Sequence, residues 1–323
     1  MRTYPLLLAA LLLPSIFAAD IPGGPGRRVL LDAHNCYPQA GRWSDRIERA
    51  LATGTPVAIE QDLYWYKDPG TGRAWSVVSH GEPVHGNEPT LRSYFFERIR
   101  PIVEEELRNP IRAAWPIIVL NLDFKTNEPE HLREIWNLLG EYEAWLTTAR
   151  KARGVKPQRL DVRPVLVLTG DSPAQEKVFH AEVPAGGRLR LFGAIQPVKP
   201  SVSASPEAMV PAGATNYRRW WNNPWSVVEK GGQREAGEWT PEENARLRAL
   251  VRHAHAKGLW IRFYTLNGHA SEESLGWYPN YNFGSIEAVR DRWQAAIDAG
   301  VDFIATDQYE ELSKLLSLSP SKP

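Results

Sequence analysis

Charged and imidazole side chains stand two residues apart where three apolar segments of the chain end. The three pairs are Asp32 with His34, Glu60 with Asp62, and Asp123 with Lys125. Because residues i and i+2 of a β-strand project to the same side, each pair would present both of its groups on one face. A single pair is as readily explained by a network of ion pairs at the rim of a fold. Three pairs together favour a functional site, since charged groups are rarely left buried without partners.

The carboxylates of three of these residues could hold a metal ion. Glu60, Asp62 and Asp123 offer only oxygen ligands, which suit a hard cation such as Mg²⁺ or Ca²⁺ rather than zinc. They could instead be ordinary surface carboxylates, although the apolar residues around Glu60 and Asp62 weaken that interpretation. Lys125 would face the same space and could balance negative charge on a phosphoryl oxygen, or it could pair with Glu60 or Asp123.

Two histidines accompany the carboxylates. His34 and His80 each follow a strand-like segment, and imidazole titrates near neutral pH. One histidine could therefore take a proton while the other gives one. A lone histidine is more often structural than catalytic, but two beside a carboxylate cluster favour acid–base chemistry. His85, in the same loop as His80, is the alternative for the second role.

The elements that would position these groups are short strands alternating with helices. Strands are predicted at 29–33, 57–63, 115–122, 164–168, 189–194, 215–221, 259–266 and 301–305, with a hairpin arm at 75–79. The alternation predicts an α/β fold, a (β/α)8 TIM barrel of one domain with a small β-hairpin extension. The carboxyl ends of the strands would then meet at one mouth. A doubly wound open sheet is the alternative, but no glycine-rich phosphate loop follows the first strand.

Several segments between and after the strands are also assigned. A long helix is predicted from Glu128 to Ala152, and a last helix from Tyr309 to Leu316. The Pro- and Ser-rich stretch 197–212 is predicted to be a long loop. Residues 20–316 are assigned to the barrel domain, and residues 317–323 to a loose C-terminal tail.

Four motifs carry a resemblance to a known family. They are His34-Asn35, Ile59-Glu60-x-Asp62, Val78-x-His80 and Leu122-Asp123-Phe124-Lys125. In order and spacing they resemble the glycerophosphodiester phosphodiesterase and PLC-like phosphodiesterase superfamily. Within it, the chain is most similar to the branch named after a yeast altered-inheritance-of-mitochondria protein. Segments 261–264 and 300–307 are similar to the last two strands of that branch.

The resemblance implies a β/α barrel with one divalent metal and a histidine pair that acts on a phosphodiester. It makes Glu60, Asp62 and Asp123 the metal ligands, and His34 and His80 the acid–base pair. Lys125 and Arg262 could add positive charge. The nucleophile would be water or a hydroxyl group of the substrate, and the second case gives a cyclic phosphate.

Two positions depart from the family pattern. Asn35 stands where the glycerophosphodiesterases usually have Arg, and Asp123 stands where they usually have Glu. An Asp at the third ligand resembles the sphingomyelinase D side of the superfamily. The substrate therefore stays open among glycerophosphodiesters, phospholipid headgroups and related phosphodiesters.

Four further residues are candidates for substrate binding. They are Asn35, Arg218, Trp220 and Arg262. Arg218 and Trp220 belong to a Trp-rich segment, where Arg beside Trp could bind a phosphorylated headgroup or rest at a lipid interface. The alternative for Trp220 is packing on the barrel rim, and for Arg262 an ion pair there. The expected partner is a small-molecule or lipid phosphodiester, with peripheral membrane contact as a further possibility.

The amino-acid composition bears on the binding partners of the protein, and the N-terminal segment on its cellular location. The 323 residues contain 38 Lys plus Arg and 38 Asp plus Glu, so the net charge gives no support to nucleic-acid binding. Residues 1–19 combine Arg2, a short apolar run and small residues, which predicts a signal peptide and a secreted or cell-envelope protein. The single Cys36 cannot form an internal disulfide. The sequence does not predict the oligomeric state.

Two other functions fit parts of the pattern. A glycoside hydrolase would use a carboxylate pair on a barrel rich in aromatic residues. It would leave His34, His80 and Lys125 without a task and would need no metal. A non-catalytic binding module that has kept the barrel is the third reading, which the complete set of carboxylates and histidines disfavours.

Overall fold

The computed structural model of the protein describes residues 23–39, 42–229, 237–270 and 282–318. The predicted signal peptide at 1–19 lies outside the described residues. So do the last five residues of the predicted tail. Helix α8, defined below, extends through Leu318, so the chain is helical two residues further than predicted.

Eight parallel strands form a closed barrel. In chain order the strands of the protein are β1 (Leu30–Ala33), β2 (Val57–Lys67), β3 (Ala74–Val78), β4 (Ile118–Phe124), β5 (Thr148–Arg150), β6 (Leu160–Asp161), β7 (Val165–Thr169), β8 (Arg188–Leu189), β9 (Phe192–Ala194), β10 (Arg218–Pro224), β11 (Trp260–Tyr264) and β12 (Phe303–Thr306). The barrel order is β1-β2-β4-β7-β9-β10-β11-β12, and β12 pairs with β1 to close it. The prediction of a (β/α)8 barrel is confirmed.

Helices connect the strands of the barrel. They are α1 (Arg46–Ala52), α2 (Glu97–Arg108), α3 (Pro129–Glu141), α4 (Pro173–Glu176), α5 (Pro206–Met209), α6 (Pro241–Ala256), α7 (Ile286–Ala299) and α8 (Tyr309–Leu318). Thr240 and Glu243 form a capping box at α6, and Ser285 caps α7. Gly300 ends α7 in the left-handed conformation that glycine adopts without strain. Among the described residues, no helix has the length and apolar character needed to cross a membrane.

The barrel interior changes from apolar to polar along each strand toward the mouth. A buried apolar layer of Leu30, Ala58, Val119 and Trp260 lies inside the barrel. The residues two positions later in each strand are Asp32, Glu60, Asn121 and Arg262, all buried. Since side chains alternate along a strand, this second layer projects into the same space, closer to the carboxyl ends. The polar layer is the floor of the mouth.

The second strand continues beyond the barrel as one arm of a hairpin. From Val57 to Leu63, β2 pairs with β4, and from Leu63 to Lys67 it pairs antiparallel with β3. Glu60 and Asp62 therefore lie within β2, at the level where it leaves the barrel. This arm is the predicted β-hairpin extension, and its returning strand leads into His80.

The prediction of a helix from Glu128 to Ala152 is wrong in its second half. Helix α3 ends at Glu141, and Thr148–Arg150 form β5 of a small three-stranded sheet with β6 and β8. The ring centroids of Trp145 and Phe96 are 6.4 Å apart in the core, and Leu146 forms an isolated parallel β-bridge with Val165. The apolar spacing of this segment would also suit a helix. These tertiary contacts instead end the helix at Glu141 and place the following residues in a strand.

Candidate active site

Three acidic side chains meet at the mouth where β2 and β4 lie side by side. Asp62 and Asp123 are direct neighbours in the register of these two strands, and Glu60 lies one layer deeper. One oxygen of each carboxylate lies within 4.8 Å of one oxygen of the other two. Glu60 and Asp62 are buried, whereas Asp123 is partly exposed. Ligands of one cation in a protein are separated by distances of this size.

Lys125 forms ion pairs with two of the three carboxylates. Its Nζ lies 2.7 Å from Asp123 Oδ2 and 2.9 Å from Asp62 Oδ2. Burial alone would lower the pKa of Lys125, but these two carboxylates outweigh it and raise the pKa. The sequence analysis considered Glu60 and Asp123 as partners of Lys125. The structure shows the ion pair with Asp123, and a second one with Asp62 instead of Glu60. The ammonium group thus stays charged at the edge of the mouth.

The cluster remains deficient in positive charge even with this lysine. Its carboxylates belong to Asp32, Glu60, Asp62, Asp123 and Asp307, and the cations that pair with them to Arg46, Lys125 and Arg262. With all five carboxyls ionised and the histidines neutral, five carboxylates against three cations would leave two negative charges unbalanced. Burial, followed by the negative charges of Asp123 and Glu60, raises the pKa of Asp62 to about 8. A buried excess of negative charge of this kind fits a divalent cation.

His34 is held between two carboxylates. Its Nδ1 lies 3.0 Å from Asp307 Oδ1, and its Nε2 lies 3.5 Å from Glu60 Oε2. Burial would lower the pKa of His34, but the charge of Glu60 and the hydrogen bond to Asp307 outweigh it and raise the pKa. Since Asp307 engages Nδ1, Nε2 is the atom that faces Glu60. Tyr264 stacks on the imidazole with ring centroids 6.3 Å apart.

Asn35 supports the site through its backbone and its side chain. Its N–H donates to Glu60 Oε2 at 3.0 Å, and its Nδ2 donates to Asp307 Oδ1 at 3.0 Å. The hydroxyl of Tyr37 donates to Asn35 Oδ1 at 2.7 Å. Asn35 has φ of 51°, a left-handed conformation that asparagine tolerates better than most residues. The structure therefore places this predicted substrate-binding residue where it orients Glu60 and Asp307.

Arg262 lies inside the barrel, beneath the mouth. It is 1% exposed, and its guanidinium donates from Nε to Asp32, from NH2 to Glu60 Oε1 at 3.1 Å, and from NH1 to Asn222 Oδ1 at 3.1 Å. Every side of the group is covered by protein, so the structure gives it the ion-pair role that the sequence left open rather than contact with a substrate.

Replacing Arg262 by Met should unfold the protein more easily, because Asp32 and Glu60 would be left buried without their cation. We expect the free energy of unfolding to fall by about 3–5 kcal/mol. Urea denaturation measures this. The matched control is Arg49→Met, which breaks a surface pair with Glu310 and should cost less than about 1 kcal/mol. Equal effects of the two substitutions would contradict the assignment.

His80 follows the hairpin and lies near the carboxylate cluster. It is half-buried, and burial followed by the nearby positive charge of Lys125 lowers its pKa. The charges of Asp123, Glu60 and His34 also act on it, so the structure brings His80 to the same mouth as His34. His85 is exposed, and its backbone N–H donates to Glu88. The structure therefore favours His80 over His85 as the second histidine.

Two predicted substrate-binding residues are engaged by contacts within the protein. Arg218 starts β10, and its guanidinium pairs with Glu176 at 2.6 Å and donates to the Asp171 carbonyl at 3.3 Å. Trp220 is 1% exposed in the barrel core, and its indole N–H donates to the Thr169 carbonyl. The indole of Trp220 is packed inside the barrel and the guanidinium of Arg218 is paired, because the Trp-rich segment forms a barrel strand, as predicted. The segment therefore gives no support to contact with a lipid interface.

Several residues of the site were not assigned a role from sequence. Asp307 orients His34, Arg46 donates to the Asn35 carbonyl at 2.9 Å, and Asn267 donates to Asp307 at 2.9 Å. Asp307 directly follows β12, so the pattern of a carboxylate at a strand end could have indicated it. Arg46 and Asn267 lie in a helix and a loop, and nothing in their local sequence distinguishes them.

The thiol of Cys36 is poorly suited to act as a nucleophile. It is fully buried, and burial raises the pKa of its thiol to about 12. A thiol with so high a pKa is protonated at neutral pH, and the thiolate is the nucleophilic form.

The chain was compared with protein families, curated proteins and solved structures, and only solved structures are similar to it. No protein-family model matches the chain, and no curated protein matches it. Similar solved structures include a calcium-dependent phosphoinositol-specific phospholipase C from Pseudomonas sp., with TM-score 0.48 and 13% identity over 89% of this chain and 92% of that one. They also include Cel5A of Thermotoga maritima in complex with cellobiose, with TM-score 0.43 and 10% identity over 89% and 96%.

A third similar structure is the HPPK-DHPS protein of Plasmodium falciparum, with TM-score 0.41 and 9% identity. The match covers 91% of this chain and 48% of that one. At these identities and TM-scores the likeness shows no shared activity, and the barrel rests on the strand pairing described above. The resemblance to the altered-inheritance-of-mitochondria branch stays a prediction.

Proposed function

We propose that this protein is a metal-dependent phosphodiesterase. The observation that supports it most is the meeting of Glu60, Asp62 and Asp123 within 4.8 Å, beside two histidines of the same mouth. Oxygen ligands alone suit Mg²⁺ or Ca²⁺, and the excess of acidic groups over cations at the mouth supports a divalent ion. Held by the three carboxylates, such an ion would offset the charge that develops on a phosphoryl oxygen.

The histidines are proposed to move the protons. Asp307 holds Nδ1 of His34, so proton exchange on this ring takes place at Nε2, next to Glu60. His80 provides the second imidazole near the cluster. One ring accepts the proton of the attacking water or substrate hydroxyl, and the other protonates the leaving oxygen.

Lys125 supplies a fixed positive charge beside the phosphoryl group. Its ammonium lies within 2.9 Å of both Asp62 and Asp123, at the partly exposed edge of the mouth. A charge held in place before the substrate arrives needs no reorganisation during the reaction. The predicted signal peptide supports the further proposal that the enzyme acts outside the cytoplasm.

Hydrolysis of bis(4-nitrophenyl) phosphate by the purified protein tests the proposal. We expect turnover with Mg²⁺ or Ca²⁺ and its loss when a chelator removes the ion. An aryl cellobioside assayed in parallel should not be cleaved. Cleavage of the cellobioside in the presence of chelator would favour a glycoside hydrolase, and metal binding without turnover of any phosphodiester would favour a binding module.

A further inference from the structure

A loop rich in basic residues lies at the end of the barrel opposite the mouth. Strands β5 and β6 pair antiparallel, and the residues between them form the loop, after which the chain enters the amino end of β7. We call residues 151–159 the basic loop. These nine residues include four basic and no acidic side chains.

The basic loop is fixed to the chain that leads into β10. Asn216 donates its backbone N–H to the Val155 carbonyl at 2.8 Å and accepts from the Ala152 N–H at 2.9 Å. Arg219 donates from NH2 to the Gln158 carbonyl at 2.8 Å. A loop held at three points loses little conformational freedom when it binds a partner.

The positive charge of the basic loop is not neutralised within the protein. Its exposed cations are Arg153, Lys156 and Arg159, and none of them pairs with a carboxylate in the described part of the chain. Asp161, the acidic residue that follows the loop, is engaged by Arg188 at 3.1 Å. These three cations are therefore available to an external anion.

Arg219 adds a further charge beneath the basic loop. Its side chain is buried, and burial lowers the pKa of the guanidinium to about 10, so the group stays charged at neutral pH. Among the residues that the structure describes, its hydrogen bonds go to backbone carbonyls and no carboxylate pairs with it. A buried cation without a counter-ion is costly, and an anion bound at the loop would lower that cost.

Two further segments lie at the same end of the barrel. Strands β4 and β7 begin side by side, with Ile118 opposite Val165, so the loop that precedes β4 ends next to the chain that follows the basic loop. Arg28, which precedes β1, donates to the Ala114 carbonyl of that preceding loop at 2.7 Å. We call the combined surface the amino-end face, and it comprises residues 24–29, 108–117 and 150–163.

The amino-end face is strongly positive in a chain whose net charge is zero. Its three segments contain ten basic residues and one acidic residue, Asp161. Including Glu105 and Glu106 of the adjoining end of α2 still leaves ten basic against three acidic residues. The excess of acidic groups at the mouth lies at the other end of the barrel. A negatively charged surface would therefore attract the amino-end face and repel the mouth.

Two exposed apolar side chains stand among these cations. Val155 of the basic loop is 77% exposed, and Ile111 of the loop before β4 is 70% exposed. Both are flanked in sequence by basic residues. At a lipid surface, cations contact the anionic headgroups while apolar side chains enter the boundary with the acyl chains. A soluble polyanion offers no such partner to Val155 and Ile111.

We propose that the amino-end face binds an anionic lipid bilayer and directs the mouth toward the aqueous phase. The inference goes beyond the proposed function and does not depend on it. It places the bilayer contact on loops at the amino ends of the strands, away from the carboxylate cluster.

Co-sedimentation of the purified protein with lipid vesicles tests the inference. One set of vesicles contains phosphatidylcholine alone, and the other contains phosphatidylcholine mixed with phosphatidylglycerol. We expect the wild type to bind the mixed vesicles at least about ten-fold more tightly, and high salt to remove this preference.

Substitutions in the basic loop should weaken binding to the mixed vesicles. We expect a loss of about 100-fold when Arg153→Gln, Lys156→Gln and Arg159→Gln are combined, at about five-fold for each basic residue near an anionic surface. Val155→Ser should cost about five-fold, because the apolar contact with the acyl boundary is lost. All four side chains are exposed, so both variants should unfold at the wild-type temperature.

The matched control makes the same change in net charge near the mouth. It combines Arg42→Gln, which follows β1, with Lys67→Gln and Arg73→Gln of the hairpin arm, and it should bind the mixed vesicles as the wild type does. Equal binding of the wild type to both kinds of vesicle would overturn the inference, and so would equal losses in the two triple variants. Binding to double-stranded DNA, with no loss of vesicle binding in Val155→Ser, would overturn it in favour of a soluble polyanion.

Discussion

Substitution of His34 by Ala should lower phosphodiester hydrolysis by about 10³-fold, within the range that one acid–base residue contributes. The imidazole is the group of the mouth whose two nitrogens are both engaged by carboxylates, Asp307 at 3.0 Å and Glu60 at 3.5 Å. Alanine removes the proton carrier and leaves the three candidate metal ligands in place. The loss should therefore appear in kcat, while metal binding persists. Steady-state kinetics with bis(4-nitrophenyl) phosphate measure it.

The matched control is His85→Ala. His85 is exposed in the loop that carries His80, and its side chain is not part of the mouth. Removing the imidazole of His85 should leave the rate of phosphodiester hydrolysis within about two-fold of the wild-type rate, since surface substitutions of this kind have small effects. Undiminished activity of His34→Ala would rule out the proposed acid–base role, and equal losses in both variants would show that the assay reports stability.

Substitution of Asp62 by Asn should weaken divalent-cation binding by at least about 100-fold, which is the scale of change when the support of a metal site is removed. Asp62 is central to the cluster, because it faces Asp123 in the neighbouring strand and is buried. Asparagine has nearly the same shape but carries no charge. Calorimetric titration with Mg²⁺ and Ca²⁺ measures the change, and hydrolysis should fall in parallel.

The fold of Asp62→Asn should survive. Burial and the charges of Asp123 and Glu60 raise the pKa of Asp62 to about 8, which shows that ionising this carboxyl in the metal-free protein is unfavourable. Removing the charge should therefore not lower the free energy of unfolding of the metal-free form. Asp291→Asn, on the exposed face of α7, is the control and should bind the ion as the wild type does. Unchanged affinity in Asp62→Asn would exclude the proposed ligand set.

The sequence could predict the parts of the site that follow from strand geometry. A pair such as Glu60 and Asp62, two residues apart at the end of an apolar run, indicates a strand and shows that both side chains lie on the same face of it. A β/α barrel then brings such pairs together at the carboxyl ends of its strands. This reasoning gave the eight-stranded barrel and the carboxylate cluster. It also brought His34 and His80 to one mouth, although His80 arrives through the hairpin arm.

The remaining features depend on contacts between residues that are distant in sequence. Arg262 pairs with Asp32 across 230 residues, and Asp307 pairs with His34 across 273. Local patterns do not reveal such partners, so Arg262 was considered for the substrate and Asp307 received no role. Trp220 was correctly predicted to lie in a strand, but the burial of its side chain follows from where β10 sits in the barrel, which local sequence does not show.

The central claim is that one divalent ion, held by Glu60, Asp62 and Asp123, is required for phosphodiester hydrolysis. Titrating Mg²⁺ or Ca²⁺ into chelator-treated protein, with bound ion and hydrolysis rate measured in the same samples, tests it most directly. The account predicts one ion per chain and a rate that rises in proportion to the bound ion. Hydrolysis at full rate without bound ion, or saturation with the ion and no hydrolysis, would contradict it.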